Sequence, residues 1–359
     1  MVDLDALEAA GLANARERAD LINYLDSLGF TVEEMVEAER RGRLFGLSGD
    51  AVRQTGRPTH SLRTAAEALG LPLDDTAHFW TTLGLSVPNP DDVVLSQVDV
   101  DALATCADMR QRLGDDGGLL RLVGAAMARL AEAETTLLRT SRPDFWITRS
   151  HDELTTAQAW REVAELIPRI GALLDVVHRH HTTRPRLFES VTLNPSESVT
   201  CGVGFADLSG FTALTHVLSP AELSTLLNGF GAAVSDVVQA DDSRLVKFIG
   251  DAAMWVSSTP EGLVHTAADL VEDPRTHESG LRIRAGLGYG PVVAIGGDYF
   301  GDAVNLAARL VAAASPGQIL ASSDVRDALQ EWPAIRQEPL TLKGFDAPVT
   351  AYDMSSAGR

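Results

Sequence analysis

Lysine is almost missing from this 359-residue chain: of 30 basic residues, all but Lys247 and Lys343 are arginine. Basic residues as a class are also scarce beside 50 aspartates and glutamates, leaving a formal charge of -20 and a pI near 4.8. That deficit excludes non-specific binding to nucleic acid or to an anionic membrane, which needs a cationic face. Cysteine occurs twice, at Cys106 and Cys201, outside any Cys-x-x-Cys spacing. The two thiols build neither a disulfide framework nor a zinc site and read as reduced. No apolar run approaches the roughly 20 residues that span a bilayer, and Met1 to Asp5 carry no basic flank ahead of an apolar core. The expectation is a cytoplasmic protein that is neither exported nor inserted in a membrane.

What is present has the balance of a globular protein, with 45% hydrophobic and 22% charged residues and a mean hydropathy of +0.01. The length suggests two domains of about 100 to 200 residues each. The acidic excess is shared evenly between the halves, so neither is a basic arm. Residues 1–180 read as an all-α domain, because apolar residues recur at spacings of three and four. Leu21, Leu25 and Leu28 line one helix face, ended by Gly29; Leu119, Val123, Met127, Leu130 and Leu137 line another. A third helical stretch runs from Leu154 through Val177, with Pro168 expected to kink or split it. From His178 to Pro185 the chain turns polar and reads as the start of a linker, placed at 181–197.

Residues 198–359 alternate between strands and helices. Strands are expected at Val199–Ala206, Leu245–Ile249, Ala252–Val256, Leu281–Leu287, Val292–Ile295 and Ile319–Ala321, with two more near the end. Helices are expected at Pro220–Val238, Gly262–Val271, Asp302–Ala314 and Asp324–Leu329. Such an order, with one tight hairpin inside it, predicts an α+β domain of ferredoxin-like kind with helices on one face of its sheet.

Three segments hold residues suited to phosphate chemistry. Asp207 ends the first strand of this domain, beside Leu208, Ser209 and Gly210, where a carboxylate can hold Mg²⁺ and free backbone N–H groups can face phosphate oxygens. Alone, Asp207 reads more readily as a helix cap. Asp251 sits in a Gly-Asp turn between two apolar strands, and two such carboxylates at neighbouring strand ends could bridge two metal ions for in-line nucleotidyl transfer. Asn305 and Arg309 are four apart on a helix of small and aliphatic residues, so both point the same way. A planar guanidinium there suits charge developing on a phosphoryl group.

Taken together, Phe205-Ala206-Asp207-Leu208-Ser209-Gly210-Phe211-Thr212, Lys247-Phe248-Ile249-Gly250-Asp251, Asp298-Tyr299-Phe300-Gly301 with Val304-Asn305-Leu306-Ala307-Ala308-Arg309, and Leu342-Lys343-Gly344-Phe345 resemble the ordered motifs of class III nucleotidyl cyclases. The resemblance covers about 195–354. It implies that Asp207 and Asp251, with the Leu208 carbonyl, ligate two Mg²⁺ or Mn²⁺ ions per active site. Lys247 and Asp298 would read adenine, Asn305 would orient the ribose, Arg309 would stabilise the transition state, and Lys343 would hold the triphosphate. Adenine offers an amino donor to a carboxylate and a ring-nitrogen acceptor to an ammonium, and guanylyl cyclases of the family carry Glu and Cys at these positions, so ATP is the expected substrate. Because the family sets the metal ligands of one catalytic domain against the base-reading residues of another, a homodimer is implied. Gly296-Gly297-Asp298-Tyr299-Phe300 is also similar to the GGDEF motif of diguanylate cyclases, but no Glu follows Asp298 and the metal hairpin is Gly250-Asp251.

Residues 58–85 resemble a MerR-type helix-turn-helix, yet Asp74, Asp75, Asp91 and Asp92 around it would repel DNA. The amino-terminal half as a whole is similar to the helical regulatory domain of some actinobacterial class III cyclases, which implies an autoinhibitory, pH-responsive module; the alternative is a plain dimerising scaffold. His178, His180 and His181, next to the linker, are the candidate pH-sensing residues. A small apolar ligand of this half is a further possibility that no motif identifies. In a chain that is otherwise all arginine, both lysines fall on positions the resemblance gives to ATP. A compact ammonium suits a base pocket and a phosphate point contact.

Overall fold

A strand that is apolar on both sides must be covered on both sides, and Val199–Ser209 (β1) is such a strand, buried at nearly every residue. The computed structural model describes residues 4–114, 117–141, 152–183, 198–240, 243–277 and 282–355. It divides into two units, Met1–Arg184 and Pro185–Arg359.

In the second unit, β1 is followed by the helices Phe211–Leu214 and Pro220–Ala240 and the hairpin of Arg244–Ile249 (β2) and Ala252–Ser257 (β3). Helix Pro260–Glu272 then leads to Arg282–Ile295 (β4). Within the sheet the order β2-β3-β1-β4 is antiparallel throughout, which with the two crossing helices is the ferredoxin-like βαββαβ arrangement. Asp298–Phe300 (β5) folds back on the end of β4, and Ile319–Ser322, Ala351–Asp353 and Ile335–Arg336 extend the sheet beyond β4, the first of them parallel to it. Where the sequence suggests two strands, Arg282–Ile295 is one, running through Gly290 and Pro291; Leu281 lies outside the described residues.

Helices cover both faces, not one. Helices Pro220–Ala240, Pro260–Glu272 and Ser323–Ala328 pack on the face shown by Ala206, Leu208, Trp255, Ile283, Ala285 and Leu287. Helix Asp302–Ala313 covers the opposite face, against Cys201, Val203, Phe205, Met254 and Val256. The alternating apolar residues of β1 demand this second layer. Trp255 is wholly buried and lies across Gly204, where an added Cβ would meet its indole at 2.2 Å. Burial of such a side chain stabilises by about 2 to 3 kcal/mol.

The regular elements of the first unit, among its described residues, are all helices. Its helices begin on capping boxes at Thr31 with Glu34, Ser61 with Thr64 and Ser96 with Asp99, and two end on left-handed Gly70 and Gly114. One core gathers around Leu7, Leu21, Ile22, Leu25 and Met35, a second around Leu62, Phe79, Leu103 and Leu120. Arg18 clamps Glu39 at 2.8 Å and Glu153 at 2.5 Å, fastening helix Glu153–Ala164 to the first core. The helix pair resembling a helix-turn-helix is Leu62–Leu69 and Leu73–Thr82.

Two local expectations change. Pro168 does split its helical stretch, into Glu153–Ala164 and Ile167–Thr183, but the second helix continues through His178, His180 and His181 to Thr183, where a linker was expected from 181. Of Gly118–Ser141, the side carrying Leu120 and Gly124 is buried, Gly124 lying against the Leu83 carbonyl, whereas Leu119, Val123, Met127 and Leu137 are exposed. A glycine permits backbone contact that hydropathy does not register.

At Gly286 an added Cβ would lie 2.2 Å from the Val311 nitrogen and 2.3 Å from the Ala307 carbonyl. Gly286→Ala is therefore expected to destabilise by about 2 to 3 kcal/mol, read as a lowered denaturant midpoint. Gly229→Ala, in open space within helix Pro220–Ala240, should be neutral or stabilising by up to about 1 kcal/mol.

Candidate active site

The chemistry-bearing residues stand on the sheet face covered by helix Asp302–Ala313. Asp207, two residues on from Phe205 in β1, faces that side between Ala252 of β3 and Arg284 of β4. Gly250 and Asp251 form the two-residue turn of the β2–β3 hairpin, with Gly250 at φ 63°. The Leu208 N–H donates to the Asp251 carbonyl at 3.3 Å, docking the turn on the end of β1. The two carboxylates thereby become neighbours. Burial pushes the Asp251 carboxyl above the usual carboxylate range, and the charge and hydrogen bonding of Asp207 push it the same way.

Arg284 answers part of that negative charge. Its Nε donates to Asp207 Oδ2 at 2.9 Å, while Nη1 donates to the Ala312 and Ala314 carbonyls at 3.2 and 3.3 Å. The guanidinium thus braces the carboxylate site against the C-terminal end of the covering helix. Among the described residues no group of three or more His, Cys, Asp or Glu side chains could hold a metal ion. Two carboxylates beside a strand-end carbonyl fit Mg²⁺ all the same, because that ion keeps waters and takes phosphate oxygens instead of an all-protein cage.

The other predicted residues fall into separate groups. Lys247 of β2 and Asp298 of β5 form an ion pair, each partly exposed. Gly296 and Gly297, at φ 58° and 79°, make the β4–β5 turn that brings Asp298 back over the sheet. Asn305 and Arg309 are exposed on helix Asp302–Ala313, whose Ala303, Ala307, Leu310 and Val311 face the sheet. Neither side chain makes an ion pair or hydrogen bond among the described residues. Lys343 is exposed in a loop closed by the Leu340–Val349 bridge, apart from the rest. His178, His180 and His181 are exposed on the last turns of Ile167–Thr183. His178 and His181 share a helix face and His180 does not.

Arg284, Arg244 and Tyr299 were not singled out by the sequence. A charge interrupting an apolar strand in the pattern Arg282-Ile283-Arg284-Ala285 is the signal for the first. Arg244 donates to the Tyr299 hydroxyl, beside Cys201, whose buried thiol is pushed up to about 12 and stays protonated. Around helix Glu153–Ala164 of the first unit, a cavity of about 370 Å³ is bounded by Glu162, Glu165 and Arg169 as well as Val163 and Leu166, and offers no apolar enclosure for a ligand. No helix among the described residues is long and apolar enough to cross a membrane.

A paired-carboxylate strand end, a two-residue Gly-Asp hairpin and a polar helix face on a ferredoxin-like sheet define a nucleotidyl cyclase catalytic domain. Residues 193–355 match the adenylate and guanylate cyclase catalytic domain, and residues 3–182 match the adenylate cyclase regulatory domain. The chain belongs to this family, in the form that carries the regulatory domain ahead of the catalytic one. It is 62% identical to an uncharacterized protein of Mycobacterium tuberculosis, over 98% of this chain and 94% of the relative. It is 31% identical to a pH-sensitive adenylate cyclase of the same species, over 91% of this chain and 83% of that protein. Among solved structures, the adenylyl cyclase CyaB from P. aeruginosa is 24% identical, covering 43% of this chain and 92% of that one with a TM-score of 0.40.

Because Asp251 holds its proton more tightly folded than unfolded, its ionised form costs stability above the folded pKa and nothing below the unfolded one. Asp251→Asn is expected to raise the Tm of metal-free protein near pH 7.5 by about 1 to 3 °C, with the gain fading toward pH 4. Added Mn²⁺ should stabilise the wild type and not the variant. A variant less stable than wild type without metal at pH 7.5 contradicts the assigned repulsion.

Proposed function

We propose that this chain is an adenylyl cyclase that converts ATP to 3′,5′-cyclic AMP and pyrophosphate at sites shared between two identical copies, under control of its helical domain. The observation that carries the choice of ATP is the Lys247–Asp298 pair. Its ammonium donates to an adenine ring nitrogen and its carboxylate accepts from the exocyclic amine, a pattern that guanine reverses. The names of several actinobacterial relatives, adenylate cyclases of Streptomyces coelicolor and Streptomyces griseus among them, agree with that choice.

In the reaction a bond forms between the ribose 3′-oxygen and the α-phosphorus while the bond from that phosphorus to the bridging oxygen breaks. The 3′-hydroxyl proton leaves to solvent and pyrophosphate departs with the electron pair. Two divalent ions bound by Asp207, Asp251 and the Leu208 carbonyl would acidify the hydroxyl and neutralise the triphosphate. Asn305 orients the ribose, Arg309 meets the charge that grows on the α-phosphoryl oxygens, and Lys343 holds the terminal phosphates. Arg284, already beside Asp207, adds a second cation on the phosphate side.

Sharing between copies is supported by what one copy leaves apart. Arg309 is exposed without a carboxylate or phosphate to meet, and Val293, Ile295 and Phe300 on the β4–β5 arm are exposed apolar residues. A second copy would cover the arm and bring its own Arg309 to the first copy's carboxylates. The helical unit is the natural regulator, and its three exposed histidines, His178, His180 and His181, are the candidate pH-sensing residues.

Asp251→Asn and Arg309→Ala should each lower cyclic AMP formation by at least about 100-fold. Mixing the two variants should restore partial activity, because each mixed dimer keeps one intact site; a mixture that stays inactive although mixed dimers form contradicts sharing. Full-length protein is also expected to be less active than a 195–359 fragment and to differ from it in pH profile between about pH 5.5 and 8. Equal activities and parallel profiles would leave the helical unit without a regulatory role.

A further inference from the structure

β2 and β5 share no backbone ladder. β2 pairs with β3 and β5 with β4, and β1 lies between β3 and β4 in the sheet. Yet Lys247 and Asp298, one on each, form an ion pair. What else joins the two strands is a second side-chain bridge, from Arg244 to Tyr299.

Arg244 Nη2 donates to the Tyr299 hydroxyl at 2.5 Å, and its guanidinium carbon lies 5.3 Å from the centre of the same ring. Tyr299 is 4% exposed and packs among Cys201, Val203, Met254 and Val256, so its ring is held by the core. The backbone N–H of Tyr299 in turn donates to Asp298 Oδ1 at 2.9 Å, which leaves Oδ2 toward Lys247. The residue that Arg244 clamps is therefore the one that orients the Asp298 carboxylate.

The local irregularity of β2 makes this possible. Residues three apart in a regular strand face opposite sides of the sheet. Here the register slips between Leu245, opposite Trp255, and Lys247, opposite Met254, so one extra residue is accommodated. Arg244 lies opposite Val256 and Lys247 opposite Met254, two positions apart on β3, and both turn to the face where Tyr299 and Asp298 lie. Without the bulge, one of the two bridges would point into the other face.

We propose that Arg244 and Tyr299 are a positioning pair that fixes Asp298 against Lys247 and so sets the preference for one nucleobase over another. The inference rests on Lys247 and Asp298 reading the base, and extends that reading to two residues that do not touch the nucleotide. A bridge of this kind, a charged donor to a partly buried hydroxyl, is worth about a tenfold change when one partner is removed.

The test is steady-state kinetics of the full-length protein with ATP and with GTP, for Arg244→Gln, Tyr299→Phe and the double variant, beside Lys247→Ala and Asp298→Ala. The expected result is a KM for ATP raised about tenfold and an ATP-over-GTP ratio of kcat/KM lowered about tenfold, with kcat changed little. The double variant should be no worse than either single one, because both remove the same bridge. Arg244→Lys should recover part of the ratio. If Arg244→Gln fails to fold, Tyr299→Phe, which removes one oxygen and keeps the ring, carries the test. The proposal is overturned if the ratio moves in Lys247→Ala and Asp298→Ala but not in the bridge variants, or if the two bridge variants add. If Lys247→Ala and Asp298→Ala themselves leave the ratio unchanged, the base-reading assignment falls and the positioning pair falls with it.

Discussion

The contact on which the catalytic unit depends is backbone against backbone, where helix Asp302–Ala313 lies on β4. At Gly286 and Gly288 an added Cβ would meet main-chain atoms of Ala307, Val311 and Ala303 at 2.2 to 2.3 Å. Without side chains between them, helix and strand sit closer than any packed aliphatic layer allows. This approach fixes where Asn305 and Arg309 emerge. It also places the last carbonyls of the helix within reach of Arg284, and hence of Asp207. Two glycines with no functional group of their own thus determine the spacing between the groups that have one.

Around that contact the charges are arranged sparingly. An acidic chain could neutralise its carboxylates anywhere, but at the site each cation has a defined acceptor or none at all. Arg284 holds Asp207, Lys247 holds Asp298, Arg244 holds the Tyr299 hydroxyl, and Arg309 is left open. Asp251 makes no ion pair among the described residues; Arg284 draws its pKa down, but burial and Asp207 outweigh it and push the carboxyl upward. Among the described residues the site groups without an ion-pair partner are the Asp251 carboxylate, the Arg309 guanidinium and the Lys343 ammonium. A metal-bound polyphosphate supplies the complement of each.

Much of this was legible in the sequence, and the parts that were not share a cause. The Gly-Asp turn and the helix spacing of Asn305 and Arg309 are local patterns, so residue order carries them, whereas β1 runs past the expected end at Asp207 to Ser209 because β4 pairs with it that far. The second helical layer was missed because β1 hides its two-sidedness in a run of small residues, Cys201-Gly202-Val203-Gly204, that reads as weakly apolar. The polar composition from His178 onward suggests a linker, but Thr182 and Thr183 continue the helix that Ile167 begins. Arg244 could not be paired with Tyr299 from sequence, since that pairing needs a bulge in β2 and a fold-back of β5. Non-local geometry of that kind leaves no periodic trace.

The two halves of the site are suspended in different ways. Asp207 belongs to a central strand, laddered to β3 and β4 on its two sides, and Asp251 sits in the turn docked on that strand, whereas Asp298 begins a three-residue strand laddered to β4 and tied across to β2 by side chains. Substitution among those tethering side chains leaves the core ladders intact. If Lys247 and Asp298 read the base as proposed, base choice is a peripheral trait of the fold and phosphoryl chemistry a central one, and a lineage built on this scaffold could exchange one purine for the other while its reaction stays the same.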